Sequence, residues 1–280
     1  MIGPATGQRI GITGLGTNVP AKVMTNDDMA AFVDTSDEWI QERTGIKERR
    51  IAAQEEALSD IALPAVREAL AEAGADVSEI DLVICATVTP DMLFPTTSAL
   101  MADTLGMHNA AAYDLLAGCT GFMYAVAQAY GMLASGLSKK ALVVGGDLLS
   151  KILDWDDRST LVLFGDGAGA VVMEPVTSGG FLGFELGADG GGGIHLCYPG
   201  SGSRHFDDPH SILKMNGREV FKFATRVMVS SAEAVLEQCG KTIDDIDVYV
   251  PGPMSLVAVC TSAVPSALIR AIAPDSLRLV

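Results

Sequence analysis

The chain has 280 residues, of which 49% are hydrophobic and 19% are charged, and its formal net charge is −16. This composition is typical of a packed globular protein and excludes a disordered chain. The acidic balance argues against nucleic acid as a partner, because phosphate binding requires clustered Lys and Arg. No apolar run reaches about 18 residues, so no membrane span is expected. The first residues also lack the pattern of a secretory signal.

The cysteines and histidines show no ligand or disulfide pattern. The five cysteines are Cys85, Cys119, Cys197, Cys239 and Cys260. They are odd in number and contain no CxxC pair, so neither a disulfide framework nor a zinc site is expected. The four histidines have no ligand spacing either. These features predict a cytoplasmic protein with reduced thiols and no bound metal.

Apolar segments alternate with amphipathic ones along the first part of the chain. Strands are predicted at 9–15, 81–88, 110–115 and 141–145, and helices at 58–73, 96–105 and 120–134. The segment 81–88 is largely apolar, as expected for a strand buried on both faces. Residues 160–173 are predicted to form paired strands around a tight glycine turn at 165–169. This alternation favours an α/β fold with a largely parallel sheet covered by helices.

An internal repeat is visible in two thirteen-residue segments. Residues 69–81 and 235–247 align without a gap at an offset of 166. In each, a helix ends at a glycine suited to left-handed backbone, Gly74 or Gly240, and a short acidic turn leads into an apolar strand. Helix–turn–strand units share composition, so chance similarity is the alternative. Agreement in type, length and register favours a duplicated half.

The duplication predicts two halves with a boundary near residue 176. Residues 1–176 form the first half, which carries the candidate nucleophile, and residues 177–280 form the second. Only 33 residues follow Asp247, fewer than follow the matching point of the first copy. The tail from Pro251 contains four prolines and no clear period. The second half is therefore expected to be incomplete.

Cys119 lies in the segment with the most chemical information, YDLLAGCTGF at 113–122. An apolar strand ends there, and a turn of small residues leads into an alanine-rich helix. Unpaired N–H groups and the helix dipole would lower the pKa of a thiol at that position. The alternative is that Cys119 is a small buried residue without a chemical role. Cys85, inside an apolar strand, and Cys239, in the last turn of a helix, fit that alternative better.

Residues 8–250 resemble β-ketoacyl-acyl-carrier-protein synthase III, a thiolase-fold enzyme that starts fatty-acid synthesis. Four blocks carry the resemblance: DTSDEWIQERTGIKER at 34–49, AGCTGF at 117–122, FGDGAGA at 164–170 and MNGREVF at 215–221. The resemblance implies a duplicated α-β-α-β-α thiolase fold and a homodimer. It also implies acetyl-CoA or another short acyl-CoA and malonyl-acyl-carrier protein as substrates. The CoA thioester is then a substrate, and no resident cofactor is expected.

The resemblance assigns expected roles to individual residues. Cys119 matches the acyl-accepting cysteine, and Trp39 and Arg158 match the pair that sandwiches the adenine of CoA. An aromatic face and a planar guanidinium can do this by stacking and cation–π attraction. Arg43 and Thr35 match further CoA contacts at the tunnel mouth. Without the resemblance, Trp39 would be interpreted as a helix anchor and the two arginines as solvated surface charges.

The expected acyl pocket involves Phe94 and Leu149. Phe94 matches a residue that reaches across the dimer interface into the partner's pocket, and Leu149 is expected to help set the depth of the pocket. The alternative is that Phe94 packs within its own chain. The glycine-rich stretches at 11–16 and 190–193 are interpreted as places of close backbone approach rather than as nucleotide or phosphate sites.

The resemblance ends abruptly after Pro251. The family carries a His-Gln-Ala-Asn block there and a Gly-Asn-Thr-Ser block further on, whose histidine and asparagine stabilise the thioester oxygen. Neither block occurs in this sequence. A shifted reading frame and divergence for another function both explain such a break. The sequence predicts a synthase III-like acyltransferase whose condensation step lacks these partners; the alternative is a truncated or non-catalytic chain acting as a dimer partner.

Overall fold

The computed structural model describes residues 8–206, 211–251 and 256–259. The strands are β1 Arg9–Asn18, β2 Lys22–Thr25, β3 Glu48–Ile51, β4 Leu82–Ala86, β5 Ala111–Leu115, β6 Ala141–Leu148, β7 Asp166–Val176, β8 Leu196–Cys197, β9 Lys214–Met215, β10 Val248–Pro251 and β11 Leu256–Val259. The helices are α1 Asn26–Met29, α2 Asp37–Thr44, α3 Leu58–Ala73, α4 Thr97–Leu105, α5 Gly121–Ala134, α6 Arg158–Leu161 and α7 Gly217–Cys239.

A five-stranded sheet with the order β1-β7-β6-β4-β5 forms the centre of the first half. Strands β6, β4 and β5 run parallel, whereas β7 is antiparallel to both of its neighbours. The sheet is therefore mixed, and the expectation of a largely parallel sheet holds only for β6, β4 and β5. The parallel strands bring their carboxyl ends to one edge, where ligands commonly bind in open α/β sheets.

Helices cover both faces of this sheet. Helix α3 packs with Val83 and Cys85 of β4 in one core cluster, and α5 packs with Leu82 and Ile84 in another. Successive side chains of a strand point to opposite faces, and all five residues of β4 are buried. The prediction of a strand buried on both faces is therefore confirmed.

The glycines of β1 allow α3 to lie directly on the sheet. A β-carbon added at Gly14 or Gly16 would collide with the backbone of Ala69 or Ala65 in α3. Only a residue without a side chain tolerates such an approach. The interpretation of residues 11–16 as a site of close backbone packing is confirmed for these two glycines.

Of the predicted pair of strands at 160–173, the first strand and the glycine turn are wrong, and only the second strand is present. Residues Arg158–Leu161 form the short helix α6, and Asp166–Val176 form the single strand β7 between β1 and β6. Asp157 caps the start of this helix, because its side chain accepts a hydrogen bond from the amide of Ser159. The glycines of this segment serve strand pairing instead of a turn, because Gly169 faces Gly145 of β6 directly.

The internal repeat is present in the structure. Helices α3 and α7 both end at a left-handed glycine, Gly74 with φ of 61° and Gly240 with φ of 62°. Short 3₁₀ turns at Val77–Glu79 and Ile243–Asp245 follow, and strands β4 and β10 begin after them. The repeated unit of helix, turn and strand therefore has the same register in both copies.

The two copies differ in their packing. Helix α3 buries seven of its residues, whereas none of the residues of α7 is buried. The second half was expected to be incomplete mainly because of the tail after Pro251. Most of that tail, residues 252–255 and 260–280, lies outside the described residues. No helix in the described part of the chain is long and apolar enough to cross a membrane.

Candidate active site

Cys119 lies in a turn between the edge strand β5 and helix α5. The turn Gly118–Thr120 is a 3₁₀ turn, in which the Thr120 hydroxyl donates to the carbonyl of Ala117 at 2.9 Å. Gly118 has a φ of 58°, and a β-carbon added there would meet nothing within 4 Å. The glycine is required for its left-handed backbone and not for space. The turn leaves Cys119 exposed at the carboxyl edge of the parallel strands.

The thiol of Cys119 does not have the lowered pKa that the sequence predicts. Burial by the surrounding protein raises its pKa, and the charge of Asp147 raises it further, while the cysteine's own backbone N–H lowers it. Cys119 as a residue is exposed, so solvent reaches one side of a thiol that protein atoms crowd on the others. The prediction failed because Cys119 precedes the first residue of α5 by two positions and because the half-buried acid Asp147 acts on it.

Cys85 and Cys239 differ from Cys119 in their surroundings. Cys85 is fully buried in β4, and burial together with nearby aspartates raises the pKa of its thiol. Cys239 is the last residue of α7, and burial raises its pKa as well. Thiolate formation is therefore disfavoured at all three sites, but only Cys119 is exposed among the cysteines that the structure describes.

Helix α2 carries two of the predicted CoA contacts. Ser36 caps its start by accepting a hydrogen bond from the amide of Trp39 at 3.1 Å. Asp37 in the first turn accepts hydrogen bonds from Asn26 at 2.8 Å and from Gln41 at 2.6 Å. The side chain of Asn26 is in turn held by the buried Arg49. This buried polar network fixes the start of the helix and hence the direction of its exposed face.

Trp39, Arg43 and Arg158 are brought together on that face. The guanidinium carbon of Arg43 lies 4.5 Å from the centroid of the Trp39 ring, and that of Arg158 lies 4.8 Å from it. Arg158 also donates to the carbonyl of Asp34 at 2.8 Å. The next residue, Thr35, has a buried hydroxyl with no hydrogen-bond partner among the described residues. All four sequence-predicted CoA residues therefore lie in one neighbourhood.

The spacing of this cluster bears on how a purine could bind. Two stacking contacts on one ring system need about 7 Å between the outer planes, since each gap is about 3.5 Å. The 4.8 Å between Arg158 and the Trp39 ring centroid is too short for that. An adenine can enter between them only if the guanidinium of Arg158 moves away from the indole.

Phe94 and Leu149 have different surroundings. Phe94 is 83% exposed. In the single chain, therefore, its ring does not pack against other residues as the alternative expected. Its loop is nevertheless anchored, because Asp91 accepts hydrogen bonds from the amide and hydroxyl of Ser59. Leu149 is half-buried in the turn that follows β6. The single chain therefore presents the Phe94 ring to solvent.

Two further features were not predicted from the sequence, one near Cys119 and one on α7. Asp147 of β6 acts on the Cys119 thiol, and an acid at the end of an apolar strand was a visible signal. Arg218, Lys222 and Arg226 form a row of exposed cations on α7. Their spacing of four residues, which places side chains on one helix face, is readable in the sequence. Among the described residues, no group of His, Cys, Asp or Glu could hold a metal ion.

The sheet covered on both faces, the repeated helix–turn–strand unit and the cysteine on its turn define a thiolase-fold condensing enzyme. Residues 113–190 match the family described as 3-oxoacyl-[acyl-carrier-protein] synthase III. The chain belongs to the β-ketoacyl-acyl-carrier-protein synthase III family, because it is 54% identical over 249 residues to the β-ketoacyl-[acyl-carrier-protein] synthase III of Symbiobacterium thermophilum. That match covers 86% of this chain and 76% of the relative.

Solved structures agree with this membership. A β-ketoacyl-[acyl carrier protein] synthase III from Thermus thermophilus is 51% identical, with a TM-score of 0.79 over 84% of this chain and 74% of that chain. The priming β-ketosynthase of the R1128 polyketide pathway is 34% identical, with a TM-score of 0.83 over 95% of this chain and 78% of that chain. These relatives are named as synthases, so the alternative of a non-catalytic chain finds no support among them.

Proposed function

We propose that the chain is an acyltransferase that loads a short acyl group from acyl-CoA onto Cys119 and condenses it with malonyl-acyl-carrier protein. The observation that carries the proposal is the turn Gly118–Thr120, which exposes Cys119 at the carboxyl edge of three parallel strands. A nucleophile held there on a fixed backbone meets a carbonyl substrate without reorganising the protein.

The proposed reaction has two steps. In the first, the sulfur of Cys119 forms a bond to the acyl carbon and the CoA sulfur leaves, taking up the proton that the thiol gives away. In the second, the malonyl thioester loses carbon dioxide and its α-carbon attacks the acyl group on Cys119. A carbon–carbon bond forms, the cysteine–acyl bond breaks, and the departing thiolate takes up a proton from water to regenerate the thiol. The CoA thioester is a substrate, so the proposal needs no resident cofactor.

The cluster of Trp39, Arg43, Arg158 and Thr35 is the proposed CoA site. Its two guanidinium groups can pair with phosphates, and the indole offers a face for the adenine. The unpaired hydroxyl of Thr35 supports the assignment, because a buried polar atom without a partner is costly unless a ligand completes it. Arg158 then serves first as a stacking partner of Trp39 and afterwards as a contact of the bound nucleotide.

The cation row of Arg218, Lys222 and Arg226 is the proposed approach surface for the carrier protein. These residues are exposed along one face of α7, in a chain with a net charge of −16. A local positive surface on an acidic protein steers an acidic partner to that place. Lys222 already pairs with Glu219 at 2.7 Å, so a docking carboxylate would compete with an exposed ion pair of small worth.

A homodimer is part of the proposal. The exposed apolar side chains of Met92, Leu93, Phe94 and Leu116 lie near the edge strand β5. An apolar patch next to an unpaired strand edge favours burial against another chain. In such a dimer Phe94 would reach the acyl pocket of the partner, and Leu149 would line the pocket of its own chain.

We propose a boundary between two halves of the chain. We place the boundary after Val176, the last residue of β7, since the five-stranded sheet is complete at that point. Residues 1–176 then carry Cys119, and residues 177–280 form the second half.

A cytoplasmic location accords with a free thiol as nucleophile, because reducing compartments keep cysteines unpaired.

Isotope-labelled acetyl-CoA tests the first step directly. The protein is incubated with the labelled thioester, quenched with acid and digested, and the peptides are mapped by mass spectrometry. We expect the acetyl group on Cys119 alone, and no label in the Cys119→Ala variant. Cys239→Ala serves as the matched control and should label like the wild type. Label on another cysteine with Cys119 unmodified would overturn the assignment.

A further inference from the structure

Asp147 has an unusual position for an acidic residue. It lies near the end of β6, whose first four residues are all buried. One carboxylate oxygen, Oδ1, accepts four hydrogen bonds from residues 87–89. The donors are the hydroxyl of Thr87 at 2.9 Å, the amide of Val88 at 2.8 Å, and the hydroxyl and amide of Thr89 at 3.1 and 3.3 Å. A partly buried charge is tolerated when it is hydrogen-bonded in this way.

The 87–89 segment is bonded to one side of the turn that carries Cys119, and its neighbour Ala86 lies beside the other side. The amide of Thr87 donates to the carbonyl of Leu115, the last residue of β5, at 3.1 Å. The preceding residue, Ala86, the last residue of β4, lies beside Gly121, because a β-carbon added at Gly121 would be in ordinary contact with its methyl group at 3.4 Å. Leu115 and Gly121 flank the turn on its two sides. A shift of the 87–89 segment would therefore move the backbone around Cys119.

We propose that Asp147 is a positioning residue for the acyl transfer: it holds the 87–89 segment against the end of β5 that leads into the Cys119 turn. The proposal rests on the assignment of Cys119 as the acyl acceptor. It predicts two separable effects, one that depends on the hydrogen bonds to Oδ1 and one that depends on the negative charge. An asparagine at this position keeps an acceptor oxygen but removes the charge.

The electrostatic effect has a defined sign. The charge of Asp147 raises the pKa of Cys119, in addition to the larger effect of burial. Burial raises the pKa of Asp147 itself, while the hydrogen bonds from residues 87–89 lower it. The charge of Asp147 also raises the pKa of Cys85, together with those of Asp114 and Asp91. On β7 the residue facing Asp147 is Gly167, which carries no charge.

The experiment compares Asp147→Asn with a matched control, Asp166→Asn. Asp166 is a buried carboxylate, and it accepts hydrogen bonds from the amide of Ala52 and from the amide and hydroxyl of Ser150. It lies on the neighbouring strand but is not among the charges that act on Cys119. The readouts are the rate of Cys119 alkylation by iodoacetamide between pH 6 and 10, and amide hydrogen exchange at Val88 and Thr89.

In Asp147→Asn we expect Cys119 to be alkylated several-fold faster at pH 7, because removal of a nearby negative charge favours the thiolate. Exchange at Val88 and Thr89 should stay near the wild-type rate. Asp166→Asn should leave the alkylation profile unchanged. An unchanged profile in Asp147→Asn, or an equal shift in both variants, would overturn the proposal. Alkylation reads the free thiol of Cys119 and requires no acyl-CoA, so this result is independent of the acetyl-CoA mapping.

Thr89→Val provides a second test that does not depend on the folding of an Asp147 variant. Its hydroxyl donates to Asp147 and accepts from the amide of Leu148 at 2.8 Å. We expect faster amide exchange at Val88 and slower acetylation of Cys119 in Thr89→Val, with both restored in Thr89→Ser. Wild-type exchange and acetylation in Thr89→Val would show that the segment is held by other contacts, and the positioning role would be wrong.

Discussion

The guanidinium carbon of Arg158 lies 4.8 Å from the centroid of the Trp39 ring, so the two residues are already stacked on each other. Arg43 lies at 4.5 Å from the same ring, one helical turn away on α2. Cation–π contacts of this kind contribute about 0.5–1 kcal/mol at exposed sites. They order the three side chains that the proposed CoA site uses. Nucleotide binding must replace the Arg158 contact with a comparable one.

Truncation of the indole is the first prediction. Trp39→Ala should weaken CoA binding by about 1–2 kcal/mol, the scale of an aromatic contact together with a cation–π contact. Arg158→Ala should have a smaller effect, because the variant loses a contact but no longer has to break the stack with Trp39. Isothermal titration with CoA measures both. Wild-type affinity in Trp39→Ala would show that the nucleotide binds elsewhere.

The pH dependence of Cys119 reactivity is the second prediction. Burial and the charge of Asp147 raise the pKa of this thiol, so little thiolate exists at pH 7. Alkylation of Cys119 should therefore rise about tenfold per pH unit from neutral pH until the pKa is reached. Alkylation of Cys85 should remain slow because this thiol is buried. A rate at Cys119 that is already at its plateau at pH 7 would support the lowered pKa that the sequence predicts.

The cation row on α7 gives the third prediction. Lys222→Glu and Arg226→Glu should raise the KM for malonyl-acyl-carrier protein by several-fold, while self-acetylation by acetyl-CoA stays unchanged. The effect should shrink at high ionic strength, because salt screens exposed charges. Arg67→Glu, an equal charge reversal at an exposed position of α3, is the matched control. An equal rise in KM in Arg67→Glu would mean that only net charge matters.

The regular elements of the first half were predictable from the sequence. Helix α3 follows from its apolar spacing, and β4 from an uninterrupted apolar run buried on both faces. The start of β7 was missed because its glycines imitate a turn, whereas Gly169 in fact faces Gly145 across the sheet. Local patterns cannot show such a pairing, since the partner strand is remote in sequence.

The residues of the site could be predicted from the sequence, but the pKa of its cysteine could not. The residues around Trp39 were identified through resemblance, and the structure brings them together. The pKa of Cys119 could not be derived locally, because it depends on how deeply the turn is packed and on Asp147 from another strand. The position of Cys119 near the start of a helix predicted a lowered pKa, whereas its pKa is raised. Interactions between remote segments therefore decide the electrostatics of this site, while local sequence decides its backbone.

The backbone of the Cys119 turn gives the last prediction. Gly118 has a φ of 58°, and no atom lies within 4 Å of a β-carbon added there. The cost of Gly118→Ala is therefore conformational, about 1–2 kcal/mol for a left-handed residue with a side chain. Gly136→Ala is the matched control, because Gly136 has a φ of 78°, equally open surroundings and a position after the end of α5. Both variants should lose a similar free energy of unfolding in urea.

Only Gly118→Ala should slow the acetylation of Cys119, because relaxing its backbone changes the direction of the adjacent thiol. The control separates this effect from general loss of stability, and both rates are measured at a temperature where each variant is fully folded. We expect a reduction on the order of 10²-fold, the scale at which a misplacement of about 1 Å affects an oriented reaction. Equal acetylation rates in the two alanine variants would show that the left-handed glycine supports the fold but does not aim the nucleophile.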